Sequence, residues 1–179
     1  MFPILFTLLI NNGAIRLRAP EPEDLDFMLS IENDTQLWEH GGATGPYSRY
    51  QLKQFIAESQ NDLYTDRQLR LMIEKDGEGT VGMVDLIVFD PRNRRAEVGI
   101  VVSGEYRGKG IGKAALALLH THCFGLLGIH QLYAYILSDN APCMALFASA
   151  GYVQSGTMKD WMYVNGRYAD VCVMQKFSK

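Results

Sequence analysis

With 179 residues, the chain has room for one domain with a buried core and a short extension beside it. A composition of 47% hydrophobic and 21% charged residues excludes a disordered chain. A net charge of −3 and a pI near 5.8 leave no basic excess for phosphate backbones and exclude nucleic acid as the main partner.

Met1 to Ile10 is apolar apart from Thr7. No Lys or Arg precedes this run and no small-residue cleavage site follows it. It also falls short of the roughly twenty apolar residues of a membrane-spanning helix, so no membrane partner is expected. Residues 1–13 read as an apolar extension and 14–179 as a single domain. Ala14 to Arg18 alternates and reads as a half-buried strand. Pro20-Glu21-Pro22 opens a helix carrying Leu25, Met28, Leu29 and Glu32, which Gly41-Gly42 and Gly45-Pro46 end. Ser48 caps a second helix with Leu52, Phe55 and Ile56 on one face.

From Gln68 the period changes to that of strands. Gln68 to Lys75, Thr80 to Asp90 and Arg95 to Val102, separated by Asp76-Gly77 and Asp90-Pro91, predict an antiparallel meander. A glycine turn follows, then a helix from about Lys109 to Leu127, a strand at Gln131 to Leu137 and a short helix from Ala141 to Ala150. Gln154 to Val164 and Arg167 to Lys176 flank Asn165-Gly166, a strong hairpin signal. This order predicts a mixed sheet with helices on its faces.

Cys123, Cys143 and Cys172 form no CxxC pair, and an odd number closes no complete disulfide framework. Free thiols in a reducing cytoplasm are expected. His120 and His122 stand two apart on a helix, and His40 and His130 have no partner at ligand spacing, so no metal is predicted. Trp161, Tyr163 and Tyr168 on the last hairpin read mostly as packing residues, with a place at the substrate mouth as the alternative for some of them.

The stretch Arg107-Gly108-Lys109-Gly110-Ile111-Gly112, between a strand and a helix, is the most informative. Glycines let backbone N–H groups approach a ligand, a helix start adds its positive end, and Lys113 joins Arg107 and Lys109 as a cation. A dinucleotide loop requires GxGxxG, and a P-loop requires glycine at Arg107 and Ser or Thr at Ala114. Neither spacing is present. A plain glycine turn before a helix is the competing reading.

The spacing of Arg107, Gly110 and Gly112 resembles the pyrophosphate loop of the GNAT N-acetyltransferase superfamily. Asn140 through Gly151-Tyr152 resembles that family's second motif. Arg94 to Glu97 and the tail from Asn165 to Asp170 with Met174 are similar to the branch of spermidine and ribosomal-protein N-terminal acetyltransferases. The likeness runs over residues 14–176. It implies a mixed α/β fold: a mostly antiparallel seven-stranded sheet with a splayed central parallel pair and about four helices on its faces.

The resemblance further implies acetyl-CoA as co-substrate and direct transfer to a primary amine in a ternary complex. Ile100, Val101 and Val102 would hold the pantetheine arm, with one N–H there polarising the thioester carbonyl. Arg107, Gly108, Lys109, Gly110, Ile111, Gly112 and Lys113 would wrap the pyrophosphate, and Asn140 would touch the pantetheine. Glu97 and Asp85 are the candidates for the base that deprotonates the amine; against this stands a surface or ion-pairing role. At the place of the family's thiolate-protonating tyrosine stands Phe147, which has no proton to give. A thiol of pKa about 8.5 leaves as thiolate near neutral pH with little help, so activity is expected to survive.

Between Ala19 and Ser48 there are seven acids, Glu21, Glu23, Asp24, Asp26, Glu32, Asp34 and Glu39, and no Lys or Arg. In the resembling fold this segment overhangs the acceptor site, so a negative rim there favours a polyamine or another cationic amine. A protein N-terminal acetyltransferase is the alternative acceptor reading. A non-catalytic CoA-binding sensor is a third, suggested by Phe147. A homo-oligomer, dimer or larger, is also expected.

Overall fold

The computed structural model describes residues 13–41 and 45–179. Expectations for Met1 to Ile10, for Gly42 and for the side chain of Glu39 fall outside the described residues.

Strands β1 (Ile15–Arg18), β2 (Leu69–Lys75), β3 (Gly79–Asp90), β4 (Arg95–Val102), β5 (Gln131–Leu137), β6 (Val153–Val164) and β7 (Arg167–Phe177) begin and end within one residue of the positions their alternation predicts. They form one sheet in the order β1-β2-β3-β4-β5-β7-β6. Every neighbouring pair is antiparallel except β4 and β5. That parallel contact covers only Arg95↔Gln131, Ala96↔Leu132 and Glu97↔Tyr133, after which the strands part. The splayed central pair is therefore present.

Among the described residues there are six α-helices, rather than about four: α1 (Leu25–Glu32), α2 (Thr35–Gly41), α3 (Arg49–Glu58), α4 (Leu63–Asp66), α5 (Ile111–His120) and α6 (Ala141–Ser149). The first expected helix is divided because Asp34 Oδ1 accepts from Gln36 N–H at 3.0 Å and starts a new turn. Such local side-chain bonding competes with helix continuation. Asp62 caps the single turn of α4 in the same way, accepting from Tyr64 N–H at 3.1 Å. α3 has the expected Ser48 cap, with Gln51 Oε1 accepting reciprocally from Ser48 N–H at 2.8 Å. The long helix expected to start at Lys109 starts at Ile111 instead, since Gly110 at φ +79 is left-handed. It runs into a π-helical turn, Thr121–Leu126.

Alternation along the strands divides the core between two faces. Behind the sheet, Ala96 and Val98 of β4, Leu132 and Ala134 of β5 and Leu116 and Leu119 of α5 pack in one large cluster, which α6 joins through Phe147. Each such large aliphatic burial stabilises the fold by roughly 1.5–3 kcal/mol. In front, α1 and α3 cover a smaller cluster of Met28, Leu52, Met72 and Met83, with Val101 packed against it. Asp24, only 3% exposed, ties the start of α1 to the sheet. Its carboxylate accepts from Arg18 at 2.6 and 2.9 Å and from Thr80 Oγ1 at 2.6 Å.

The hairpin aromatics depart from expectation. Trp161, Tyr163 and Tyr168 are 59%, 67% and 65% exposed. β5 supports β7 only from Val171 to Phe177, so the hairpin tip outruns the sheet and has no layer to pack on.

Candidate active site

The splay leaves one edge of β4 without a strand partner beyond Glu97. Ser103 N–H donates to Val81 O at 2.9 Å, which fixes the alternation of amide directions along β4. Counting back from Ser103, the backbone groups of Val101 and Gly99 face β3, while those of Val102 and Ile100 face the gap. Of the three residues expected to hold a pantetheine arm, Ile100 therefore turns both its N–H and its carbonyl to the gap and Val102 offers its N–H. Val101 contributes its side chain to the front cluster.

At its C-terminal end, β4 passes through a 3-10 turn, Gly104–Tyr106, into the glycine turn. Arg107 Nε donates to Val102 O at 2.8 Å and ties the turn to the strand. Gly108 (φ +72) and Gly110 (φ +79) adopt backbone that other residues rarely tolerate. Gly110 is the N-cap of α5 and brings no capping side chain. The first N–H groups of α5, from Ile111 to Lys113, thus lack internal partners and point at whatever sits before the helix. The Ile111 side chain is buried, so only its backbone serves this cradle. Lys109 Nζ lies 5.4 Å from the Tyr106 ring, and the Lys113 side chain is exposed. Gly112 has a different task. A Cβ there would stand 3.1 Å from Leu146 Cδ2, so its absence lets α5 approach α6.

Asn140 caps α6, its Oδ1 accepting from Cys143 N–H at 3.2 Å. Its amide nitrogen makes no hydrogen bond among the described residues. Phe147 lies buried with its ring edge-on to Tyr152 at 4.9 Å. Tyr152 Oη meets His120 Nε2 at 3.2 Å. Burial pushes that imidazole down to about 4, a satisfied core histidine. Among the described residues no group of three or more His, Cys, Asp or Glu side chains is gathered for a metal.

On the front face, cross-strand register places the two candidate bases in adjacent rows. Arg70, Asp85 and Gly99 form one row, and Ile87, Glu97 and Tyr133 the next. Arg70 Nε and Nη2 donate to both Asp85 oxygens at 2.9 and 2.8 Å, and Arg70 Nη1 donates to Glu32 Oε1 at 2.5 Å. Burial works against the guanidinium charge, but the two carboxylates outweigh it and hold Arg70 above its ordinary pKa. Glu97 has no hydrogen bond or ion pair among the described residues. It is half-buried, and burial pushes its carboxyl above the usual range. A desolvated carboxylate without a partner, beside an opening in the sheet, is poised to take a proton.

The acidic rim is less free than the sequence suggests. Asp24 pairs with Arg18, Asp26 with Arg49 at 2.6 Å and Glu32 with Arg70. Glu23 remains exposed, and Asp34 is half-buried, its carboxylate capping the turn into α2.

Sequence reasoning missed Arg70 and Gly82. A Cβ at Gly82 would come within 2.5 Å of Val101 O, so glycine lets β3 and the end of β4 close up. A glycine in mid-strand was the available signal.

Residues 14–153 match the acetyltransferase (GNAT) domain. The chain belongs to the GNAT acetyltransferase family. It is an acyl-CoA N-acetyltransferase, using acetyl-CoA as co-substrate to acetylate an amine. GNAT relatives include the spermidine N(1)-acetyltransferase of Vibrio cholerae, 26% identical over 89% of this chain and 91% of that protein. The putative ribosomal N-acetyltransferase YdaF of Bacillus subtilis is 30% identical over 93% of this chain and 92% of its own. A GNAT structure of Vibrio cholerae spermidine N-acetyltransferase with CoA and spermine superposes with a TM-score of 0.84 over 93% of this chain and 97% of that one, at 24% identity. A dodecameric structure of the Vibrio cholerae enzyme gives a TM-score of 0.78 at 26% identity, over 93% and 95% of the two chains.

Proposed function

We propose that this acetyltransferase acts on a small cationic primary amine, a polyamine in particular, with Glu97 as the base. The observation that carries the reading is the half-buried Glu97 carboxylate, without a partner among the described residues, at the last paired position before the strands splay. Acetyl-CoA would lie in the gap with its pyrophosphate on Gly108 to Lys113. The thioester oxygen would then accept a hydrogen bond from a gap-facing amide of β4. Glu97, directly or through water, removes a proton from the ammonium. The neutral nitrogen attacks the thioester carbon and forms the carbon–nitrogen bond; as the carbon–sulfur bond breaks, the nitrogen gives its second proton to solvent, and CoA leaves as thiolate and is protonated by solvent. Asp85 is the weaker candidate for the base, because both its oxygens are engaged by Arg70.

Support for a cationic acceptor comes from the charge balance of the front face. Glu97 is uncompensated, and the cluster of Glu32, Arg70 and Asp85 keeps one net negative charge. The similarity to the spermidine N(1)-acetyltransferase of Vibrio cholerae points the same way. The similarity to YdaF favours a protein N-terminus as the second reading. Nothing beyond Phe147 supports a non-catalytic sensor.

A homo-oligomer in the cytoplasm belongs to the same proposal. Cys123, Cys143 and Cys172 are free thiols, and the Vibrio cholerae enzyme forms a dodecamer. Among the described residues no helix is long and apolar enough to cross a membrane.

The deciding experiment is thiol release from acetyl-CoA with spermidine, spermine, neutral amines and short peptides as acceptors. Spermidine or spermine turning over ahead of the rest is expected. Turnover with peptides alone would replace the polyamine reading by the N-terminal one.

A further inference from the structure

Glycine within a strand loses backbone entropy on folding and offers no side chain to pack, so each occurrence needs a local cause. Gly79 has φ +79, Gly82 lies under Val101 O, and Gly156 sits at a bulge of β6. Gly99, in the middle of β4, has none of these causes. Its φ lies outside the left-handed range, and among the described residues a Cβ there would meet only Asp85 Cβ, at an ordinary 3.9 Å. Neither its backbone conformation nor neighbouring atoms of the described residues require glycine. The cause must lie in the space that the missing side chain leaves.

That space borders the chemistry. Gly99 is on the front face, two residues from Glu97 and directly opposite Asp85. In antiparallel sheet the Asp85 carboxylate is the group best placed to lean over it. Arg70, on the far side of β3, instead draws both carboxylate oxygens toward β2. A missing side chain and a tethered one thus clear the same strip of sheet, alongside Glu97 and the start of the splay.

We propose that Gly99, cleared by the Arg70–Asp85 pair, is the specificity-determining floor of the acceptor channel and sets the bulk tolerated around the reacting nitrogen. The proposal rests on the reading of Glu97 as the base, because that is what brings the amine to this strip. Gly99 touches no reacting atom; it acts by leaving room.

The test compares Gly99→Ala and Gly99→Leu with the unsubstituted enzyme. Steady-state kinetics use spermidine or an alanine-initiated tripeptide, whichever the unsubstituted enzyme turns over, and calorimetry measures acetyl-CoA binding. Gly99→Leu should raise KM for the amine at least tenfold, while the acetyl-CoA dissociation constant stays within threefold. Gly99→Ala, whose methyl group the strand accepts, should raise KM by two- to fivefold. An unchanged amine KM in both variants overturns the proposal. Weakened acetyl-CoA binding in step with amine loss also overturns it, since Gly99 would then serve the cofactor. Should Gly99→Leu fail to fold, the alanine variant decides alone. The unsubstituted enzyme's choice between spermidine and peptide tests the polyamine reading separately, and Glu97→Gln tests the base.

Discussion

On the edge of β4 that turns toward β5 and the glycine turn, nearly every group assigned to acetyl-CoA is backbone. Ile100 and Val102 present strand amides, Gly108 and Gly110 shape the turn, and the start of α5 supplies unpaired N–H groups. On the front face the chemistry belongs to side chains from α1, β2, β3 and β4: Glu32, Arg70, Asp85 and Glu97. A backbone site depends on conformation, so it tolerates side-chain change except where φ is positive. A side-chain site depends on who stands next to whom across the sheet, so single substitutions should change its chemistry and leave cofactor binding intact.

The largest expected effect lies on the front face. Glu97→Gln should lower acetyl transfer at neutral pH by about 10²–10⁴-fold, the usual worth of a positioned base, with acetyl-CoA affinity unchanged. The loss should shrink as rising pH deprotonates the amine without help. A stability readout accompanies it. Because burial raises the Glu97 pKa in the folded state, the group's stabilising contribution is present at low pH and is lost as pH rises through that raised value. Glu97→Gln should therefore melt higher than the unsubstituted protein at pH 7 and show no such gain below about pH 4, where the carboxyl is protonated in both states. A kinetic loss that persists at every pH would assign Glu97 to structure.

The backbone site should break at a glycine. Gly110→Val places a β-branched residue at φ +79 and should abolish the stabilisation that acetyl-CoA gives. That stabilisation is about 2.7 kcal/mol at a hundred times the dissociation constant. Thermal shift with acetyl-CoA, NAD and ATP reads this directly, with a shift for acetyl-CoA alone expected before substitution. Equal shifts with all three would dissolve the distinction between the two sites.

The smallest effect on rate is expected at Phe147. Phe147→Tyr should change turnover by no more than a few-fold if thiolate departure needs no dedicated acid. Since Phe147 is buried edge-on to Tyr152, a hydroxyl left there without a partner should cost about 1–3 kcal/mol of stability. Rate and melting temperature measured together separate the outcomes. A gain of 10²-fold or more in rate would show a site poised for the missing proton.

How much was legible follows from these same residues. Strand limits were readable to within a residue because alternation is local, and the Asn165-Gly166 turn announced its hairpin. The cofactor turn was readable because positive φ demands glycine and the glycines adjoin in sequence. The split between α1 and α2 was not, because one Asp34 side-chain bond outweighed a continuous apolar period. Nor was the exposure of Trp161, Tyr163 and Tyr168, which depends on how far β5 reaches along β7.

By itself, the sequence determined the order of the elements, the glycine turn proposed for the pyrophosphate and the two carboxylates proposed as base. Only the tertiary structure distinguishes the surroundings of those carboxylates. Cross-strand register set Arg70 beside Asp85 and left Glu97 without a counter-ion, and it turned Gly99 from a weak point in a strand into a cleared strip. The physical reason is distance along the chain: conformational demands act between adjacent residues, whereas desolvation and ion pairing act between neighbours in space. Arg70 and Asp85 lie fifteen residues apart and meet only when β2 and β3 pair.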